Sequence, residues 1–277
     1  MDALVFLAAP ALAVLLMATM MAYLGSHVLE REVIFVDLSI AQTSALGSAV
    51  ALSFGLEEHS PWVRLVALAF ALLAGAFFAW TRRLEQRVPQ EALIGAVYAV
   101  ATAATLLVLT KAHLGHDHVR AMLVGTLLWV GWMDVLLAAA VFGLIGILLI
   151  RVHSSLFLVS SDAESARLSG LRVLRWDLLF FSVFAVVISF SVHLAGVLLV
   201  FTLLVVPALV GRLFAQVYRA RLMIGIGLSV SVNMVGLLLS FGLDLPAGAT
   251  IVVLFGVVLL GALVVAAIRG PQRLIAR

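Results

Sequence analysis

The chain has 277 residues, 65% of them hydrophobic and 11% charged, with a formal net charge of +3. Soluble domains carry about 25% charged and 45–50% apolar residues, so this composition excludes a water-soluble fold and makes lipid the solvent. With no cysteine, disulfide frames, thiolate metal sites and cysteine nucleophiles are excluded as well.

A helix needs about 20 apolar residues to cross the bilayer core. Nine stretches qualify in chain order: 4–25, 33–55, 62–81, 91–110, 129–150, 176–191, 195–211, 222–241 and 249–268. Only Asp2 precedes the first, and without a basic n-region it reads as a retained span rather than a signal peptide. Gly, Ala and Ser recur inside the stretches and permit close helix packing. No long linker or short-period repeat is present. The expected fold is all-α: a polytopic transmembrane helical bundle of eight or nine spans, one membrane domain over residues 1–277.

Orientation follows from the basic residues. With nine alternating spans, Arg64, Lys111 and Arg120 fall on one face and the other 14 of the 17 Lys and Arg on the opposite one. That places the N-terminus outside and the C-terminus in the cytoplasm of an inner-membrane protein. It also requires 176–211 to break into two spans at Ser191–Gly196. Otherwise Arg212, Arg219 and Arg221 would be exported. Trp62, Trp129 and Trp132 then mark outer span ends and Trp80 and Trp176 inner ones, where indole rings prefer to sit.

No ATP-hydrolysing motor is encoded. A phosphate-binding loop needs a lysine after a glycine-rich turn, and the only lysine, Lys111, follows Leu109-Thr110. In the cytoplasmic segment Ser160-Ser161-Asp162-Ala163-Glu164-Ser165-Ala166-Arg167-Leu168-Ser169-Gly170, Ser161 and Glu164 have capping-box spacing and Gly170 is a stop signal. A short helix over about 161–170 is expected, either a connector or a docking element for a cytoplasmic partner.

Asp37, within the second span, carries a carboxylate whose insertion costs about 2.5–3.5 kcal/mol, and such residues usually face a cavity or partner. Ser44 and Ser48 share its helical face, which could line a polar path. The alternative is a carboxylate near the cytoplasmic end, snorkelling or paired with an arginine. Glu91 opens the fourth span as a favourable N-terminal carboxylate. Asp134 and Asp177 read as interfacial, Asn233 as an interhelical hydrogen bond and His193 as structural. His113, His116, Asp117 and His118 fall in an external loop. These are ligand types for zinc and related ions, without the spacing of a defined motif. Pro207 removes a backbone donor inside the seventh span, and Pro246 marks the start of the last.

Together these pieces resemble the permeases of the zinc/manganese/iron class of ABC importers, over nearly the whole length. The resemblance rests on Glu91-Ala92-Leu93-Ile94-Gly95, on Asp162-Ala163-Glu164 with Ala166 and Gly170, on Gly196-Val197-Leu198-Leu199-Val200 running to Val206-Pro207-Ala208, and on Pro246-Ala247-Gly248-Ala249-Thr250-Ile251-Val252. It implies a non-enzymatic transport subunit acting as a homodimer with a cytoplasmic ABC ATPase and an external metal-binding protein. The Asp162, Glu164, Arg167 and Gly170 segment would be the ATPase-coupling helix. The divalent metal ion (zinc, manganese or iron) would be cargo rather than a permanent cofactor, and nucleic acid has no part. Pro207, Pro246 and Gly248 are carried over as structural positions.

There is one departure. Members commonly carry Asp and His four residues apart in the second span, about 40° around the helix. Here Ala41 stands at that spacing from Asp37. Gln42, five residues on, lies about 140° away, so Asp37 and Gln42 cannot chelate together from one regular helix. Loss of imidazole tilts preference toward oxygen-liking ions such as manganese. The rival readings are an ABC permease for a larger ligand such as a metal chelate or cobalamin, and a stand-alone secondary transporter.

Overall fold

A computed structural model describes residues 3–57, 60–84, 87–111 and 127–268. Of these described residues 89% are helical and none lies in a strand. The long helices are α1 (Ala3–Glu30), α2 (Val36–Ser53), α3 (Pro61–Thr81), α4 (Gln90–Lys111) and α5 (Trp132–Ser161). After the short α6 (Ala163–Leu168) come α7 (Val173–Ala195), α8 (Val197–Phe214), α9 (Tyr218–Leu243) and α10 (Ala247–Ile268). Eight are long and apolar enough to cross a membrane. The less apolar α2 corresponds to the remaining expected span.

Two ends differ from expectation. Helix α1 runs five residues past 25, to Glu30, and α5 runs to Ser161 rather than stopping near 150. Polar residues in these extensions have partners inside the bundle, so leaving the apolar run does not end the helix. The Tyr23 hydroxyl and His153 Nδ1 lie 3.0 Å apart, as do His27 Nδ1 and Ser160 Oγ.

Helix α2 is enclosed by α3, α4 and α7, and α1 packs on α5, α8 and α9. Helix α8 is flanked by α9 and α10, and α7 bridges toward both groups through α2, α3 and α5. The core between them holds Met17, Met21 and Leu24 of α1, Ile40 of α2, Phe78 of α3, Phe180, Phe181 and Phe184 of α7, and Leu203 and Leu204 of α8. Helix α10 forms an outer wall: Val253, Val257, Leu260, Val264 and Ile268 are exposed, the pattern of a surface solvated by lipid tails.

Two glycines are required by the geometry. Gly196 has φ +79° and is the single residue between α7 and α8, so the expected break within 176–211 is made by a residue free to adopt that conformation. Gly25 lets α1 approach the backbone of α8; a Cβ there would collide with the Leu204 carbonyl. Small residues serve this purpose in membrane helix pairs. Gly25→Leu is expected to lower the melting temperature in detergent clearly, since overpacking alone costs about 1–3 kcal/mol and backbone cannot rotate away. An unchanged melting curve would show that α1 and α8 are not tightly engaged.

Candidate translocation path and coupling helix

Asp37 lies in the first turn of α2 and is 1% exposed. Its Oδ1 is buried without a hydrogen-bond partner. Glu91 comes from α4. Its Oε1 accepts the Ile34 N–H at 2.5 Å, and Oε2 is buried without a partner. The expected role at its own helix N-terminus is therefore replaced: Glu91 reaches across to the backbone leading into α2, where the N-cap Phe35 has no side-chain oxygen to offer. The two carboxylates are near enough to interact electrostatically. Neither forms an ion pair among the described residues.

Gln42 is half-buried, and α2 is an unbroken helix, so Gln42 stays on a different face from Asp37. Ser44 is tied to Ser189 of α7, Oγ to Oγ at 2.8 Å, and Ser48 is half-buried. His113, His116, Asp117 and His118 lie outside the described residues. Among the described residues no group of three or more His, Cys, Asp or Glu is arranged to hold a metal.

The short helix expected over about 161–170 forms, with a correction at its start. Ser161 is the last residue of α5, and its hydroxyl donates to the Phe157 carbonyl at 2.9 Å. Asp162 is the cap. Its backbone is extended, and Oδ1 accepts the Glu164 and Ser165 N–H groups at 3.0 and 2.9 Å. The Ser165 hydroxyl donates to Oδ2. The Ser165 hydroxyl and these N–H groups hold the Asp162 carboxyl below its ordinary pKa, since each favours the charged form. At the other end the Gly170 N–H donates to Arg167 O and the Leu171 N–H to Ala166 O, both at 3.0 Å, with Gly170 at φ +81°. That is a Schellman stop. Ala166 is buried against Val159 and Val173, whereas Glu164, Arg167 and Leu168 are exposed, Leu168 by 85%. The helix is fixed on its inner side and offers an outward face of one acid, one base and one leucine.

Directly beneath it lies a group that sequence reasoning missed. Asp177, expected at the interface, is 2% exposed. Its Oδ1 accepts Arg31 Nη1, just past α1, at 2.7 Å and Arg82 Nη1, just past α3, at 2.5 Å. Arg31 also donates Nε to Ser160 Oγ at 3.0 Å, with its guanidinium 4.2 Å above the Phe180 ring. One buried carboxylate thus ties the ends of α1, α3, α5 and α7 together at the root of α6. The residues are 146 and 95 positions apart in sequence, so no local pattern announces them.

The remaining expectations divide. Asp134 caps its own helix, accepting the Gly131 N–H at 3.2 Å. Asn233 is fully buried, but its Nδ2 donates to Ser229 O of the same helix at 2.6 Å. The interhelical bond expected there is replaced by an intrahelical one, and Oδ1 lacks a partner. His193 is exposed in the last turn of α7. Pro207 sits inside α8, with Gly225 of α9 lying against its carbonyl. Pro246 immediately precedes α10, its carbonyl accepting the Thr250 N–H, and Gly248 is buried.

A bundle of membrane-length helices interrupted by a short capped helix is the architecture of a multi-pass membrane protein. The ABC 3 transport family matches residues 3–266, and the chain belongs to that family. A Thermotoga maritima protein named "Probable metal transport system membrane protein" is 27% identical over 240 residues, covering 87% of this chain and 83% of its own. The Yersinia pestis chelated iron transport system membrane protein YfeC is 28% identical, covering 71% and 69%. In fold, the chain is similar to PsaBC from Streptococcus pneumoniae, solved in complex with Fab, at TM-score 0.77 and 19% identity, covering 93% and 90%.

Proposed function

We propose that the chain is the membrane-spanning subunit of an ATP-driven importer of divalent metal ions. The observation that carries this is the family match together with a capped helix, α6, presented between two long spans. The names of the relatives, metal and chelated iron transport proteins, support metal as cargo. Two copies would form the ion pathway, with the N-terminus outside. An external metal-binding protein would deliver the ion, and a cytoplasmic ABC ATPase would grip α6 through the face bearing Glu164, Arg167 and Leu168. Asp162 and Gly170 would hold that face in shape. Movement of α6 would reach the spans through the Asp177 ion pairs, which join four helix ends beside it.

Within each copy the ion would pass Asp37. The partner that Ala41 cannot supply would come from Glu91 on α4 rather than from Gln42. Two buried carboxylates, each with an unpartnered oxygen, favour a cation in a low-dielectric setting. An all-oxygen pair suits manganese or iron(II) better than zinc. The external His113, His116, Asp117 and His118 loop would act as a first collector.

The test is uptake of zinc, manganese and iron(II) into proteoliposomes holding the chain with its ATPase and binding protein, with and without ATP. ATP-dependent accumulation of one ion establishes the reading. An assembled complex that hydrolyses ATP yet accumulates none points to the larger-ligand permease. In the same system Glu164→Arg is expected to reduce ATP-driven uptake at least about tenfold, because reversing a charge at a docked surface costs several kcal/mol, while leaving the melting temperature unchanged. Unchanged uptake would remove α6 as the docking element.

A further inference from the structure

At the cytoplasmic end, between the turn after α3 and the α6–α7 segment, lies an open cavity of about 510 Å³. Arg83, Arg167, Arg172 and Arg175 line it, all exposed and without an ion pair among the described residues. Its one carboxylate, Asp177, is already engaged by Arg31 and Arg82. Ala163, Leu171, Val173 and Leu174 give it an apolar side. The cavity is therefore a strongly cationic mouth with an apolar flank. Such a lining fits a phosphate carried on hydrocarbon, since guanidinium forks match phosphate oxygens.

A second observation says where the hydrocarbon would run. On α3, Leu73, Phe77 and Trp80 follow at intervals of four and three residues, and Leu84 continues the row in the turn. They are 68, 40, 55 and 38% exposed. This stripe descends the lipid-facing side of α3 and ends beside Arg83. Trp80 sits where an indole anchors at the headgroup level. Basic pockets at the cytoplasmic ends of spans are the setting in which anionic headgroups are held.

We propose that this cavity is a binding site for one anionic phospholipid. Its phosphodiester would be held by Arg83, Arg172 and Arg175, and an acyl chain would lie along the Leu73–Leu84 stripe. The cavity borders α6 at Ala163, so the site would couple the helix's seating to membrane composition.

The test uses the full-length protein in nanodiscs of phosphatidylglycerol mixed with phosphatidylcholine, with retained lipid counted by native mass spectrometry. Wild type is expected to retain phosphatidylglycerol preferentially, and R83Q/R172Q/R175Q to lose at least about tenfold of that preference. The control R212Q/R219Q, elsewhere on the same face, is expected to retain it. If the triple variant does not insert, R83Q alone, on an exposed turn, takes its place. Equal loss in the control would reduce the effect to general surface charge and overturn the site. So would displacement of the lipid by millimolar inorganic phosphate, which would make the ligand a free anion. Unchanged lipid retention with loss of ATPase assembly would also overturn it, assigning the arginines to an acidic protein surface.

Discussion

Asp37→Ala is expected to slow ATP-dependent metal uptake roughly 10- to 100-fold while leaving the protein folded. The two halves of this outcome have separate causes. A buried carboxylate with an unpartnered oxygen is a cost to the bundle, so its removal does not unfold the protein. The same carboxylate is the only charged group on α2. Losing a charge-assisted contact worth about 1.5–3 kcal/mol slows passage roughly 10- to 100-fold. The measurement is initial uptake rate in proteoliposomes, with expression level and melting temperature as controls. Full uptake by a well-folded variant would take Asp37 off the path. If uptake instead survives in Asp37→Ala but fails in Glu91→Gln, the role belongs to α4.

Asp177→Asn is expected to have the largest effect on stability. Arg31 is 1% exposed at its side chain and Asp177 3%. Removing the carboxylate's charge leaves Arg31 buried without its counter-ion, and breaking a buried pair from one side costs about 3–5 kcal/mol. That is a large share of the 5–15 kcal/mol by which folded domains are stable. Poor membrane accumulation and a strongly reduced melting temperature in detergent are expected. Arg31→Met combined with Asp177→Leu should recover part of the loss, because the more deeply buried cation is then removed with its partner and only Arg82, 10% exposed at its side chain, is left without the carboxylate. A neutral Asp177→Asn would show that the pair is hydrated rather than buried in the membrane.

Much of this architecture was legible because the bilayer enforces a simple rule. A span must be apolar, long and internally hydrogen-bonded, so composition and length alone locate the helices, while the polar extensions of α1 to Glu30 and α5 to Ser161 lie beyond the apolar runs. The Gly196 break and the Gly170 stop could be read because a positive φ is nearly a glycine property. Family resemblance rested on short pieces in a fixed order, and the match over residues 3–266 bears that out.

The points missed share a cause. Ser161 and Asp162 are both competent caps, and only the backbone geometry at the end of α5 decided that Asp162 carries the extended conformation. Asn233 has a donor and an acceptor in any setting, and the neighbours of α9 decided that the donor turns back on its own helix. Asp177 looks interfacial when judged by its distance from a span end. It is buried because Arg31 and Arg82, remote in sequence, converge on it. The sequence by itself therefore determined solvent, helices and family, all of which depend on residues close along the chain. Only the tertiary structure decided which charges meet, because pairing across helices depends on packing angles that no local spacing encodes. For that reason the reach of Glu91 to the backbone before α2, the four-helix tie at Asp177 and the arginine-lined cavity beside α6 all emerge from the folded chain.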